Sequence, residues 1–187
     1  ANHRATLSYD DALVEAVLAR CIAEGLVGGQ LFGADASLIK ADASRYSKVQ
    51  AEDWSAGDTV SRATQEYLDT LDDAAFGSAT SVQPKTLSPS DPAARFTGAN
   101  GDRPFFAYST NYLVDLDHAI IVDVEATAPV RQAEVGSARE MLVRTEEVFG
   151  LHPDTLVADT AYGSGEMLGW LVDEQDIDPH IPVFDKT

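Results

Sequence analysis

The sequence predicts an α/β fold, a mixed sheet with flanking helices preceded by one helix. Two alternating runs within Phe105–Thr127 predict an antiparallel pair of strands. Two further apolar runs, 30–40 and Thr155–Ala158, predict buried strands, one interrupted by an Asp and one ended by an Asp. Segments with apolar residues three and four apart predict helices before and between them.

The first helix is expected over 8–26. Ser8 is placed to cap it, Asp10 and Asp11 suit the positive end of its dipole, and Gly25 with Gly28-Gly29 ends it. Leu13, Val14, Val17, Leu18, Cys21 and Ile22 form its apolar face. The strand over 30–40 carries Asp35 in its middle. From Ala41 to Arg103 the pattern is weak, with one helix near Thr59–Ala75 and a Pro/Ser/Gly-rich connector from Ser78 to Pro104. So long a stretch inside one domain reads as an insertion. In the hairpin, Phe106, Tyr108, Thr110 and Tyr112 share one face, as do Ile120, Val122 and Val124, and Asp115–His118 link the two runs. An amphipathic helix over 130–149 turns Val135, Ala138, Leu142, Thr145 and Phe149 inward and stops at Gly150. Thr155–Ala158 leads to Asp159, a turn over Thr160–Ser164 and a helix over Glu166–Glu174 with Met167, Leu168, Trp170, Leu171 and Val172 inside. A last strand is expected over Pro179–Phe184.

Composition bounds the function. The chain has 187 residues, 44% hydrophobic and 24% charged, which suits one ordinary domain with a core. No apolar run approaches the about 18 residues of a membrane span, and the N-terminus lacks the apolar stretch of a signal peptide. The lone Cys21 excludes an internal disulfide and a thiolate zinc site; a small core residue in a reducing, cytoplasmic setting is expected. Asp and Glu number 31 against 13 Lys and Arg, a formal net charge of -18. A nucleic-acid binder normally carries the opposite balance. Either the basic parts lie outside this chain, or the parent organism is salt-loving and uses an acidic surface.

Asp35 and Asp159 stand out because they interrupt or end apolar strands. Ligands of mixed α/β sheets gather beyond the carboxyl ends of strands. A buried carboxylate is costly unless it is paired, hydrogen-bonded or bound to metal. Two Asp with few other ligands suit Mg²⁺ or Mn²⁺, which keep several waters. The same pattern also fits a structural role, capping a turn or a helix.

Gly33-Ala34-Asp35-Ala36-Ser37-Leu38-Ile39-Lys40 resembles the first catalytic block of DDE-type insertion-sequence transposases, an Asp followed by a small residue, a hydroxyl residue and an apolar pair. Leu156-Val157-Ala158-Asp159-Thr160-Ala161-Tyr162 resembles their second block, an Asp followed three residues on by an aromatic. Phe105–Pro129 is similar to the hairpin between them. The resemblance runs from about Ala16 to Thr187 and is weakest over 45–85. It implies a ribonuclease H-like core over 30–187 with an insertion at about 41–103, preceded by a helical remnant over 1–29. It implies DNA transposition by metal-dependent phosphodiester cleavage and strand transfer, with DNA at the transposon ends as partner and Mg²⁺ or Mn²⁺ as cofactor. The strands carrying the two acids would pair. Asp35 would bridge two ions about 3.5–4 Å apart and Asp159 would hold one of them.

The family's third acid is a Glu on a helix beyond the strand that follows the second Asp. No Glu here matches it: Glu166 and Glu174 fall on the preceding helix, and the sequence stops at Asp185-Lys186-Thr187. With no initiator Met either, the chain is expected to be a fragment truncated at both ends and inactive alone. Open strand edges would offer a route to a homo-oligomer. Tyr162 is expected to pack on the following helix rather than to brace the site or touch DNA, and Ser109 and Asn111 to lie on an exposed strand face rather than to face the metal site. His3, His118, His152 and His180 lack metal-ligand spacing, with His118 and His152 solvated at turns. Gly163-Ser164-Gly165 reads as a helix start rather than a phosphate loop. Trp54 and Trp170 read as core rather than base-stacking platforms. Two other function classes stay open: a non-catalytic acidic α/β interaction module, and a ribonuclease H-like nuclease, which would need a third acid in this chain.

Overall fold

The computed structural model describes residues 9–54, 84–98 and 103–183. His3, Ser8, the helix expected over Thr59–Ala75, residues 78–83 and 99–102 of the Ser78–Pro104 connector, and Phe184 lie outside these residues. The fold is mixed α/β, with helices flanking a mixed sheet. The chain divides into two compact units, one comprising Ala1–Ala34, Tyr112–Asp123 and Leu142–Thr187, the other Asp35–Asn111 and Val124–Met141.

In the first unit, α1 (Tyr9–Ala23) ends in a left-handed turn at Gly25, φ 71°. Gly25 N–H donates to Ile22 O at 3.0 Å and Leu26 N–H to Cys21 O at 2.9 Å, so two carbonyls of the last turn find donors. A Cβ is disfavoured at that φ. Gly25→Ala is therefore expected to cost about 1 kcal/mol, read from the midpoint of urea denaturation; an unchanged midpoint would refute the cap. The apolar face of α1 is less covered than expected. Leu18 is buried and Cys21 and Ile22 are half-buried, but Leu13 is 55% and Val17 56% exposed, and Val14 is exposed too. Helical periodicity marks a face able to bury, not one that finds a partner.

β1 (Leu31–Lys40) runs parallel to β7 (Thr155–Ala158), in register from Leu31↔Thr155 to Ala34↔Ala158. β7 in turn runs parallel to β8 (Asp178–His180), which starts just before the expected last strand. Phe32 and Leu156 bury their side chains here, as apolar runs in paired parallel strands require, and Ile177, just before β8, is buried with them. Ser164 caps the helix after β7: its hydroxyl accepts from Met167 N–H at 3.2 Å. That helix, α3 (Gly165–Gly169), continues as a π-helical turn over Trp170–Glu174, where Gln175 N–H donates to Trp170 O at 3.1 Å. Met167, Trp170 and Leu171 are buried, whereas Val172, expected inside, is 52% exposed. The wider π turn rotates the inward face away from the helical phase on which that expectation rested.

β5 (Phe105–Asp115) and β6 (Ile120–Thr127) form the expected hairpin, its link set at Leu116–Ala119. β5 is antiparallel to β1: Leu116 N–H donates to Leu31 O at 3.0 Å, and Ala41 N–H to Phe106 O at 2.9 Å. The sheet order is β4-β5-β1-β7-β8, with β6 also on β5. β4 (Arg95–Thr97) takes only Phe105–Ala107 of β5, antiparallel.

In the second unit, the weakly patterned segment proves to hold short strands. Besides β4, β2 (Val49–Gln50) pairs antiparallel with β3 (Thr86–Leu87). Ala41, Ala94 and Phe106 form a buried cluster, with Ala43, Phe96 and Tyr108 packed against it. The helix α2 (Arg131–Phe149), which lies in this unit as far as Met141, matches its expected span, and Ala133, Ala138 and Met141 are buried along it. Ser109 and Asn111 correct the expectation of an exposed face, because both are fully buried. Ser109 Oγ donates to Glu134 Oε1 at 3.3 Å, which also draws Glu134 toward the sheet. Among the described residues, no helix is long and apolar enough to cross a membrane.

Candidate functional site

Asp35 follows Ala34, the last residue of β1 in register with β7. Its side chain is exposed, as are Ser37–Lys40 beyond it, so the expectation of a carboxylate inside a buried strand is corrected. Burial on β1 ends where its pairing with β7 ends: Phe32 and Ala34 are covered, and the residues after them lose that neighbour. Solvent access removes the desolvation penalty that would have forced a partner on Asp35. Its Oδ1 accepts from Ala36 N–H at 2.8 Å.

Asp159 follows Ala158, the residue opposite Ala34 in the same register. It is exposed and caps a 3₁₀ turn over Thr160–Tyr162, with Oδ1 accepting from Ala161 N–H at 2.7 Å. An Asp at a helical N-cap satisfies an otherwise orphaned N–H. The turn carries Tyr162 inward, where it is almost fully buried, as expected of an aromatic packing beside the next helix.

Both acids thus use Oδ1 on a backbone N–H within two residues of themselves, which orients each carboxylate, and these bonds leave Oδ2 of each unused. Among the described residues, no three His, Cys, Asp or Glu side chains come together as a metal-holding group. A single carboxylate with water is a donor set that Mg²⁺ or Mn²⁺ accepts, and the described residues offer no closed all-protein cage.

The histidines supply no ligand cluster. His152 is exposed and links Glu146 to the Gln175 carbonyl, His180 is exposed beside Asp178, and His118 is exposed in the hairpin loop. Trp170 is buried and Trp54 half-buried.

Sequence reasoning missed one buried polar group, Asp115, and put another, Asn111, on the wrong face. Asp115 is a fully buried carboxylate, accepting from Gly29 N–H at 2.8 Å and Asp117 N–H at 3.1 Å. Its place as an inward residue at the end of an alternating strand was the available signal. Asn111 Nδ2 donates to Glu125 O at 3.0 Å and Thr127 Oγ1 at 2.9 Å, while its buried Oδ1 finds no donor. No protein-family model matches the chain, and no characterised protein or solved structure matches it.

Proposed function

We propose that this chain carries the metal-binding acids of a ribonuclease H-like, DDE-type transposase core, with Asp35 and Asp159 as the carboxylates and a DNA phosphodiester as the substrate. The observation that carries the reading is the parallel register of β1 and β7 to Ala34↔Ala158, after which the next residue of the chain is an Asp in each case, Asp35 within β1 and Asp159 just past β7. That is the pairing the resemblance implies for the strands bearing the first two acids. The order of connection adds support: an antiparallel β1, β5 and β6, then β7 and β8 reached through α2 and α3 and parallel to β1.

In this reading, Asp35 and Asp159 present pre-oriented oxygens and balance the charge of a divalent ion. When bound, such ions supply positive charge at the attacking and leaving oxygens of the phosphodiester. A second reading, a non-catalytic acidic α/β interaction module, is favoured by one observation: the Asp159 carboxylate already has a structural task as a turn cap.

Calorimetric titration of Mn²⁺ into the wild type, Asp35→Asn and Asp159→Asn, at low and high salt, separates the two. Asn caps as well as Asp does, so Asp159→Asn keeps the turn. Saturable binding that persists at high salt and weakens at least about tenfold in each variant, a loss of about 1.4 kcal/mol, is the expected result. Equal heats in all three proteins would sink the metal reading and leave the interaction module.

A further inference from the structure

The charge of the chain inverts locally beyond the end of β1. Residues 40–48 hold three cations, Lys40, Arg45 and Lys48, against one acid, Asp42, in a chain where acids outnumber bases 31 to 13. Within the second unit, Lys40, Arg45 and Arg103 converge with Ser44, Tyr46 and Phe105 on a groove of about 920 Å³. Tyr46 is 81% exposed, and the Arg45 guanidinium carbon lies 4.7 Å from its ring centroid. Lys48 Nζ lies 4.4 Å from the ring centroid of Phe96, which anchors that lysine beside the buried cluster under the groove.

Three cations along one groove suit successive phosphates, and an open π face with a cation behind it suits an unpaired base, which every nucleotide offers. A duplex keeps its bases stacked on one another and would leave Tyr46 idle. From this charge and aromatic arrangement, we infer that the groove lined by Lys40, Arg45, Tyr46 and Arg103 binds a single-stranded nucleic-acid segment, its phosphates on the three cations and one base on Tyr46. Lys40 lies five residues along β1 from Asp35, about 17 Å at the rise of a β-strand. If the metal-site reading above holds, and this refinement rests on it, the groove grips the strand a few nucleotides from the reacting phosphate.

Fluorescence anisotropy of a labelled oligothymidylate tests the groove, in EDTA so that the outcome is independent of metal at Asp35 and Asp159. Each phosphate contact to a single strand contributes about -0.7 to the slope of log K against log salt. The wild type should give a slope near -2, and the Lys40→Gln/Arg45→Gln/Arg103→Gln protein should lose most of it. Tyr46→Ala should weaken binding roughly tenfold with an unchanged slope, and Tyr46→Phe should restore it. Circular dichroism should be the same for all variants, since the replaced groups are at the surface. No binding by the wild type, a slope unaltered in the triple variant, or a preference for duplex with indifference to Tyr46→Ala would each overturn the proposal. Strand binding without specific Mn²⁺ binding would keep the groove and discard the transposase reading; Mn²⁺ binding without strand binding would do the reverse.

Discussion

Replacing Asp115 with Ala is expected to lower unfolding free energy by roughly 3 to 4 kcal/mol. The carboxylate is 0% exposed, and both its oxygens are used. Gly29, buried and in a left-handed conformation with φ 75°, presents its N–H to Oδ2, with no strand partner to replace it. Hydrogen bonds to a charged acceptor contribute about 1.5–3 kcal/mol each, and a buried donor left unpaired adds its own penalty. The Asp117 N–H lies nearer the surface and can turn to water, so the sum stays below twice the upper figure. Asp115→Asn retains one acceptor oxygen and should lose about half as much. The bond has a positional consequence as well. It ties the chain entering β1 to the end of β5, where Leu116 N–H meets Leu31 O at 3.0 Å. Urea denaturation with an unchanged m-value measures the loss; less than about 1 kcal/mol in Asp115→Ala would mean that water replaces the carboxylate.

How far the sequence revealed this structure depends on what each element packs against. β7 and α2 were legible because their apolar periods largely coincide with the surfaces they bury. The β5–β6 hairpin was legible as a pair of strands but not in its facing: Tyr108, Thr110 and Tyr112 are half-buried, Ala107, Leu113 and Asp115 on the other face are buried, and Val124 is exposed. Ser109 and Asn111 were not legible, since small polar residues alternating with aromatics read as an outer face. Here their side chains are buried and bonded, Ser109 to Glu134 of the covering helix and Asn111 across the hairpin. Leu13 and Val17 fail in the opposite sense, apolar in pattern and exposed in place. For the candidate site, Asp35 within β1 and Asp159 just past β7 could be found from their interruption or ending of apolar runs. The exposure of Asp35 could not, because burial on β1 stops when the neighbouring strand stops, a fact of pairing length rather than of local sequence. The basic groove was hidden by summation: a formal charge of -18 masks a cationic stretch of a few residues.

Phe106→Ala is expected to cost about 3–5 kcal/mol, the range for emptying a fully buried aromatic site. Phe106 is 0% exposed at the centre of the cluster with Ala41 and Ala94, and its ring centroid lies 5.1 Å from that of Phe96. The neighbours are mostly alanines, whose short side chains cannot swing into the space, so a cavity should persist rather than collapse. A domain with ordinary stability of about 5–15 kcal/mol would remain folded but marginal. The same substitution also reaches the groove. Phe96 loses its aromatic neighbour while carrying Lys48 above it, and Ala43, which packs on the cluster, leads directly into Ser44–Tyr46. Below the unfolding transition, Phe106→Ala should therefore weaken oligothymidylate binding while every groove cation remains, whereas Phe106→Leu, which fills most of the volume, should retain it. Chemical denaturation and anisotropy on the same samples separate the two effects. A protein that loses stability yet binds the strand unchanged would show that the segment 40–48 holds its shape without the cluster beneath it.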